Sequence, residues 1–246
     1  MNDNEKIINE INFGNTLARA FECAGIKYSE KIIDSLRALT AYMLTENEKY
    51  NLTAITAPED IIIKHYLDSA AAAGYIPEGS RIIDVGSGAG FPGIVLSILR
   101  EDLSLTMLEG SAKKAAYLEG ALSLLGIPQE RARAVCGRAE EQKNSPALAG
   151  YFDFAVSRAV APLGKLSSWC LPFVRKGGFL IAYKGSKGAE EYAEAAKEIH
   201  KSGGCAARIV TYELSGDGYK NINGFSLPEQ CPGTGYNRSL VFVEKM

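Results

Sequence analysis

Between Ile82 and Val95 the chain reads IIDVGSGAGFPGIV, a short apolar run that gives way at once to glycines at 86, 88, 90 and 93. A buried strand that must turn within a few residues into a helix needs backbone freedom at the turn, and Pro92 is suited to the first helical turn beyond it. The pattern therefore constrains the chain to a strand, a tight glycine turn and a helix. That is the unit from which parallel α/β sheets bind nucleotides at their carboxyl edge.

The rest of the sequence repeats that rhythm. Apolar strand-like runs are predicted at Arg81 to Val85, Leu103 to Leu108, Ala132 to Cys136, Phe152 to Val156, Gly178 to Tyr183, Arg208 to Glu213 and Ser239 to Val243. Helical spacing falls between them, at Pro92 to Arg100, Ala112 to Leu125, Leu163 to Val174 and Ala189 to Lys201. The alternation predicts an α/β fold with a doubly wound sheet of seven strands. Ahead of it, apolar residues recur at helical intervals from Asn4 to Gly25 and from Ser29 to Asn47, and Pro58 opens a third helix that reaches Gly74. The expected organisation is a helical extension over residues 1–75 and a nucleotide-binding domain over 76–246. Ser215 to Asn237, rich in Gly, Pro and Asn without a period, reads as a loop between the last two strands.

Two nucleotide classes use such a turn, nicotinamide dinucleotides and S-adenosylmethionine. Glu109 stands 21 positions after Gly88, at the end of the second strand, where an acid binds ribose hydroxyls in either class. Three features favour S-adenosylmethionine. Asp84 precedes the first glycine, where a carboxylate can face the cofactor's cationic amino group or order water beside it. The segment GRAEE, Gly137 to Glu141, follows the third strand at the edge where an adenine would lie. The order helix end, Gly177-Gly178 turn and strand in VRKGGFLIAYKG is that of methyltransferases.

The fourth strand ends FAVSRAVAP, where enzymes of this fold bring the acceptor to the methyl group. Ser157 to Pro162 contain neither a D/N-P-P-Y-like turn for an exocyclic amine nor a cysteine nucleophile. Arg158 is the chief candidate for catalysis, through the cofactor carboxylate or the acceptor. Its bland alternative is a surface ion pair. Lys64 and His65 are candidates for phosphate or the rim of the site. A basic rim is drawn from Lys113, Lys114, Arg133, Arg138, Lys165, Lys184 and Arg238, whereas Trp169 and Tyr183 are assigned to the core.

The five cysteines are odd in number and widely spaced, with no C-x-x-C pair and only two histidines in the chain, so reduced thiols and no metal are expected, with Cys231 structural. A net charge of −2 counts against nonspecific coating of nucleic acid. The N-terminus lacks the apolar run of a signal peptide and no segment has the length of a membrane span, so a cytoplasmic protein without a membrane partner is expected.

NLTAI (Asn51 to Ile55), KHYLDS (Lys64 to Ser69), DVGSGAGFPG (Asp84 to Gly93), GRAEE, SRAVAPL (Ser157 to Leu163) and the terminal NRSLVFVEK run in one order across nearly the whole chain. In these motifs the sequence resembles the bacterial 16S rRNA guanine-N7 methyltransferases known as RsmG or GidB. The resemblance implies a methyltransferase sheet with an N-terminal helical extension, S-adenosylmethionine as donor, and methylation of one guanine in the decoding-region loop of 16S rRNA, on the small ribosomal subunit or its precursor. By motif position it implies cofactor contacts from Gly86, Phe91, Ala139, Glu140 and Arg158, to which the glycine turn and the end of the second strand add Gly88 and Glu109. RNA contacts are expected from Lys64, His65, Lys165 and Arg238, in a monomeric enzyme. Three residues depart from what relatives often carry: Glu109 for aspartate, Gly110 for serine and Lys114 for arginine. The alternatives are a methyltransferase with another acceptor, a noncatalytic ribosome-binding module and, last, a nicotinamide dehydrogenase.

Overall fold

The computed structural model describes residues 12–215, 218–220 and 235–246. Two amphipathic helices lead the described chain, α1 (Phe13–Cys23) and α2 (Glu30–Tyr50), the second capped by the Ser29 hydroxyl, which accepts the Ile32 N–H. A helical run, α3, covers residues 58–70 with a π-helical middle at Ile61–Leu67. The predicted uninterrupted helix to Gly74 stops short, and a 3-10 turn at Ala73–Tyr75 follows. Hydrophobic spacing does not distinguish an α turn from a π turn, so this detail had no signature in the sequence.

The sheet comprises β1 (Arg81–Val85), β2 (Ser104–Glu109), β3 (Ala132–Cys136), β4 (Phe152–Arg158), β5 (Val174–Gly185), β6 (Gly204–Ser215), β7 (Gly218–Lys220) and β8 (Tyr236–Lys245). Its order is β3-β2-β1-β4-β5-β8-β6-β7. The pairs from β3 to β5 are parallel, and β8 runs antiparallel between β5 and β6. All seven expected strands are present. An eighth, β7, pairs with the end of β6 through three residues, inside the stretch read as a loop; a run so short carries no period. Most of that stretch, with Cys231, lies outside the described residues.

Helices α4 (Gly93–Leu99), α5 (Ala112–Leu124), α6 (Ala139–Gln142), α7 (Leu163–Cys170) and α8 (Gly188–Lys201) complete the fold. Strand alternation sorts the core into two layers. Ile82, Met107, Phe154 and Val156 pack beneath α1 to α5, with Leu17, Leu36, Met43, Tyr66 and Leu118. Ile83, Leu108, Ala155 and Leu180 face the opposite way, toward Leu163, Leu166, Cys170 and Ile199 of α7 and α8. The helical extension thus shares one side of the sheet with α4 and α5. Among the described residues no helix is long and apolar enough to cross a membrane.

Because β1 has β2 on one side and β4 on the other, the connections leaving its carboxyl end and that of β4 diverge. A crevice opens at such a switch point. The ends of β1, β2, β3 and β4 deliver Val85, Glu109, Cys136 and Arg158 to its margin.

Candidate active site

The turn after β1 is held by its own backbone and by two carboxylates. Gly86 donates its N–H to the Leu108 carbonyl at 2.8 Å, and Gly88 donates to Glu109 Oε2 at 2.9 Å. Gly86 has φ +76°, and a Cβ there would lie 2.6 Å from a methyl of Val160, so glycine is required on two counts. Gly93 has an ordinary φ but sits against Asp84: an added Cβ would come within 2.7 Å of Asp84 Oδ2. Its N–H donates to that same oxygen at 2.9 Å, so the last glycine of the G-x-G-x-x-G makes room for a carboxylate under the first turn of α4.

Asp84, expected to face the cofactor's amino group or to order water beside it, is turned under the first turn of α4. It is fully buried beneath the turn and its Oδ1 has no hydrogen-bond partner. Burial raises its carboxyl to about 7, against the lowering effect of the Gly93 N–H.

A cavity of about 650 Å³ lies over this turn. Gly86, Gly88, Phe91, Glu109, Ala139, Glu140 and Arg158, all expected at the cofactor, line it together. Glu109 accepts from Gly88 through Oε2 and from the Ser111 N–H through Oε1 at 2.8 Å, which fixes the carboxylate with lone pairs to spare. Lys114 and Arg138 of the expected basic rim also line the cavity. So does Trp169, which was assigned to the core; Lys165 stands over its ring with Nζ 4.8 Å from the centroid. Tyr183 is in the core as expected, its hydroxyl donating to the Ser69 carbonyl at 2.8 Å.

Arg158 is not a surface arginine. Its side chain is 10% exposed, and NH1 donates to the Lys64 carbonyl at 2.8 Å and to Asp68 Oδ2 at 2.9 Å, while NH2 meets His65 Nδ1 at 2.9 Å. A guanidinium has only donors, so Nδ1 accepts, the proton of neutral His65 sits on Nε2, and that N–H donates to Thr53 Oγ1 at 3.0 Å. The ring also stacks on Phe91, with centroids 4.1 Å apart and planes 13° apart. Burial, and then the Arg158 charge, push the His65 imidazolium down to about 3. His65, expected to contact RNA, is thus a buried neutral ring that bridges Thr53 to Arg158.

Asp68 gathers the rest. Oδ1 accepts from the Tyr212 hydroxyl at 2.8 Å and from Arg238 Nε at 2.9 Å; Oδ2 accepts from Arg158 and from Arg238 NH2 at 2.9 Å. Burial alone would raise this carboxyl, but Arg158 and Arg238 outweigh it and hold it below the usual range. Arg238, expected on RNA, is the second cation of this buried pair. Lys64 remains on the outside, paired with Asp60 at 2.9 Å and 4.5 Å from the centroid of the Tyr236 ring.

Thr53, Asp68 and Tyr212 were not assigned a role from sequence. The first two lie within NLTAI and KHYLDS, and an acid in the apolar run YLDSAAA was the available signal for Asp68. Beyond Arg158 a second cavity of about 420 Å³ shares His65, Arg158 and Ala159 with the first. Ala159, at φ +57°, holds a backbone conformation unusual for a residue with a side chain, at the point where the two cavities meet. Among the described residues no group of three His, Cys, Asp or Glu could hold a metal ion.

Residues 32–216 match the family described as GidB, rRNA small subunit methyltransferase G. The Ribosomal RNA small subunit methyltransferase G of Moorella thermoacetica is 41% identical over 202 residues, covering 81% of this chain and 83% of that one. Its counterpart in Pelotomaculum thermopropionicum is 35% identical over 224 residues, 90% of this chain and 86% of the relative. Among solved structures, P. horikoshii TYW2 in complex with MeSAdo superposes with a TM-score of 0.53 at 12% identity, over 73% of this chain and 62% of that one. At that identity the likeness is one of fold.

Proposed function

The chain belongs to the rRNA small subunit methyltransferase G family, and from that premise we propose that it methylates N7 of one guanine in the decoding-region loop of 16S rRNA, with S-adenosylmethionine as donor. The observation that carries the reading is chemical: the titratable groups around Arg158 are already engaged. Neutral His65 uses both ring nitrogens, and both oxygens of Asp68 accept from cations or a hydroxyl. The wall shared by the two cavities thus holds no base ready to take a proton. Guanine N7 carries an in-plane lone pair and no proton, so it needs alignment rather than deprotonation.

S-adenosylmethionine fits the residues around the first cavity. Bound there, it supplies a methyl group on a positively charged sulfur. Glu109, held by two backbone N–H groups, is placed to accept from ribose hydroxyls. Ala139 and Glu140, at the start of α6, are assigned to the adenine, and Gly86, Gly88 and Phe91 to the remainder of the molecule along the turn. Arg158 has five N–H groups, three of them engaged, which leaves two for the cofactor carboxylate or the acceptor. Asp68 and His65 fix the plane of that guanidinium and act as positioning residues. Lys64 and Lys165, on the outside of the site, are assigned to RNA together with Arg238, which also pairs with Asp68. We assign the site to a monomeric, cytoplasmic enzyme whose partner is the small subunit or its rRNA.

The test is transfer of labelled methyl from S-adenosylmethionine to small ribosomal subunits, and separately to naked 16S rRNA, both lacking this modification, followed by nuclease mapping. The expected product is a single 7-methylguanosine in the decoding-region loop. Label on another nucleotide, or binding of the cofactor without transfer to either substrate, would reject the reading in favour of another acceptor or a noncatalytic role.

A further inference from the structure

The second cavity is assigned to nothing by the chemistry above. Its faces are mostly apolar, formed by Ile55, Leu214, Ala159 and the ring of Tyr236, while its charged groups are Lys64, Asp68, Arg158 and Arg238. At about 420 Å³ it has the size of a small-molecule pocket, and it opens against the first cavity at Arg158 and Ala159. Tyr236 is 44% exposed, a large ring at the mouth with the Lys64 ammonium 4.5 Å from its centroid.

We propose that this cavity receives the acceptor guanine, swung out of its RNA, with the ring of Tyr236 as its stacking surface. The inference rests on the guanine-N7 reading and names the place where that base is held. Three observations lead to it. A base inside a folded RNA cannot present N7 to a donor buried at a sheet edge unless it leaves its neighbours, and an enzyme that extracts it must replace the lost stacking, usually with an aromatic or apolar slot. The cavity supplies that slot, with Tyr236 on one side and aliphatic side chains on others.

Its position beside the first cavity points the same way. The two cavities share His65, Arg158 and Ala159 as lining residues, so a base in the second neighbours a donor in the first. No other described cavity borders the first through these residues.

The charged groups of the lining favour one purine over the other. Arginine and lysine carry donors only, and Asp68, the one carboxylate of the cavity, already accepts bonds from Tyr212, Arg158 and both ends of the Arg238 fork. The charged groups of the cavity therefore offer donors and no vacant acceptor. Guanine presents an acceptor, O6, beside N7, whereas adenine presents an amino donor at N6. A donor lining receives the first and leaves the second facing like groups.

The experiment compares wild type with Tyr236→Ala, Tyr236→Phe and Ile55→Trp, the last placing an indole in the cavity from its partly exposed side. Two quantities are measured for each: kcat/KM for methyl transfer to unmodified small subunits, and the Kd for S-adenosylmethionine by calorimetry. Loss of one stacking ring predicts a roughly ten- to hundredfold fall in kcat/KM for Tyr236→Ala. Tyr236→Phe, which keeps the ring, stays near wild type, Ile55→Trp falls with Tyr236→Ala, and cofactor Kd is unchanged in all three. Full transfer by Tyr236→Ala and Ile55→Trp would overturn the pocket and leave the reaction standing; so would a loss of transfer matched by an equal loss of cofactor affinity. A wild-type protein that binds the cofactor but modifies no guanine would overturn the reading on which the pocket rests.

Discussion

The cofactor side and the acceptor side of this site are built in opposite ways. Around the glycine turn the working groups are mostly backbone N–H groups and one carboxylate, and the contacts that shape them span short stretches: Gly93 to Asp84, Ser111 to Glu109, Gly88 to Glu109. Around Arg158 they are buried side chains from three distant parts of the chain, with Asp68 meeting Arg158 90 residues away, Tyr212 144 away and Arg238 170 away. The first is a pattern that a single strand, turn and helix can encode. The second exists only once the helical extension has closed over the sheet. Local geometry can be written as spacing, whereas a buried charge network is written as complementarity between segments, which no one segment displays.

Four expected outcomes test that contrast, the largest first. Asp68→Ala leaves the Arg158 and Arg238 guanidiniums buried without their carboxylate and should cost about 3 to 5 kcal/mol of folding stability in urea unfolding. A loss below about 1 kcal/mol, the range of exposed pairs, would show that the network does not hold the acceptor side together. On the cofactor side the effect should separate from folding. Glu109→Ala should weaken S-adenosylmethionine binding by about 1 to 3 kcal/mol as a charged acceptor is lost. Unchanged affinity in calorimetry removes Glu109 from the ribose.

The third outcome depends on pH. His65 has a folded value of about 3 against an ordinary 6.5, so below pH 6.5 the unfolded chain takes up a proton that the folded chain refuses. Stability must therefore fall with pH across that window, by about 2 kcal/mol from 6.5 to 5 for this group alone. His65→Gln should remove that part of the slope; parallel slopes for wild type and variant would place the histidine in a wetter setting. Last, Lys31→Ala breaks a 2.8 Å pair with Glu101 whose side chains are 78% and 71% exposed, remote from either cavity. It should change stability by less than about 1 kcal/mol and transfer not at all, and a drop in transfer would mean the extension communicates with the site by more than its buried face.

The same contrast explains what could be read from sequence. Strand positions along the parallel half, the glycine turn and Glu109 followed from alternation and spacing, because each depends on neighbours within a few dozen residues. Residues whose type was informative have surroundings that the sequence does not display. Arg238 and His65, expected on RNA, also belong to the network around Asp68 and Arg158. Trp169, expected in the core, packs against the layer beneath α7 and α8 and also reaches the wall of the first cavity. Asp84 was read as facing ligand because of its place before the glycines; the Gly93 N–H turns it under the helix instead.

The π-helical turn at Ile61–Leu67 sets a limit on how this protein can change over time. Lys64, His65 and Asp68 reach Arg158 from that stretch and the position just after it, through a carbonyl, a ring nitrogen and a carboxylate respectively. Each residue of a helix advances roughly a quarter of a turn around its axis, so loss of one residue between Ile61 and Leu67 would swing the positions that follow it out of register with those before. Substitutions in the segment can be absorbed one at a time, but its length cannot drift: for descendants of this chain the stretch behaves less like a string of letters than like a gear whose number of teeth is fixed.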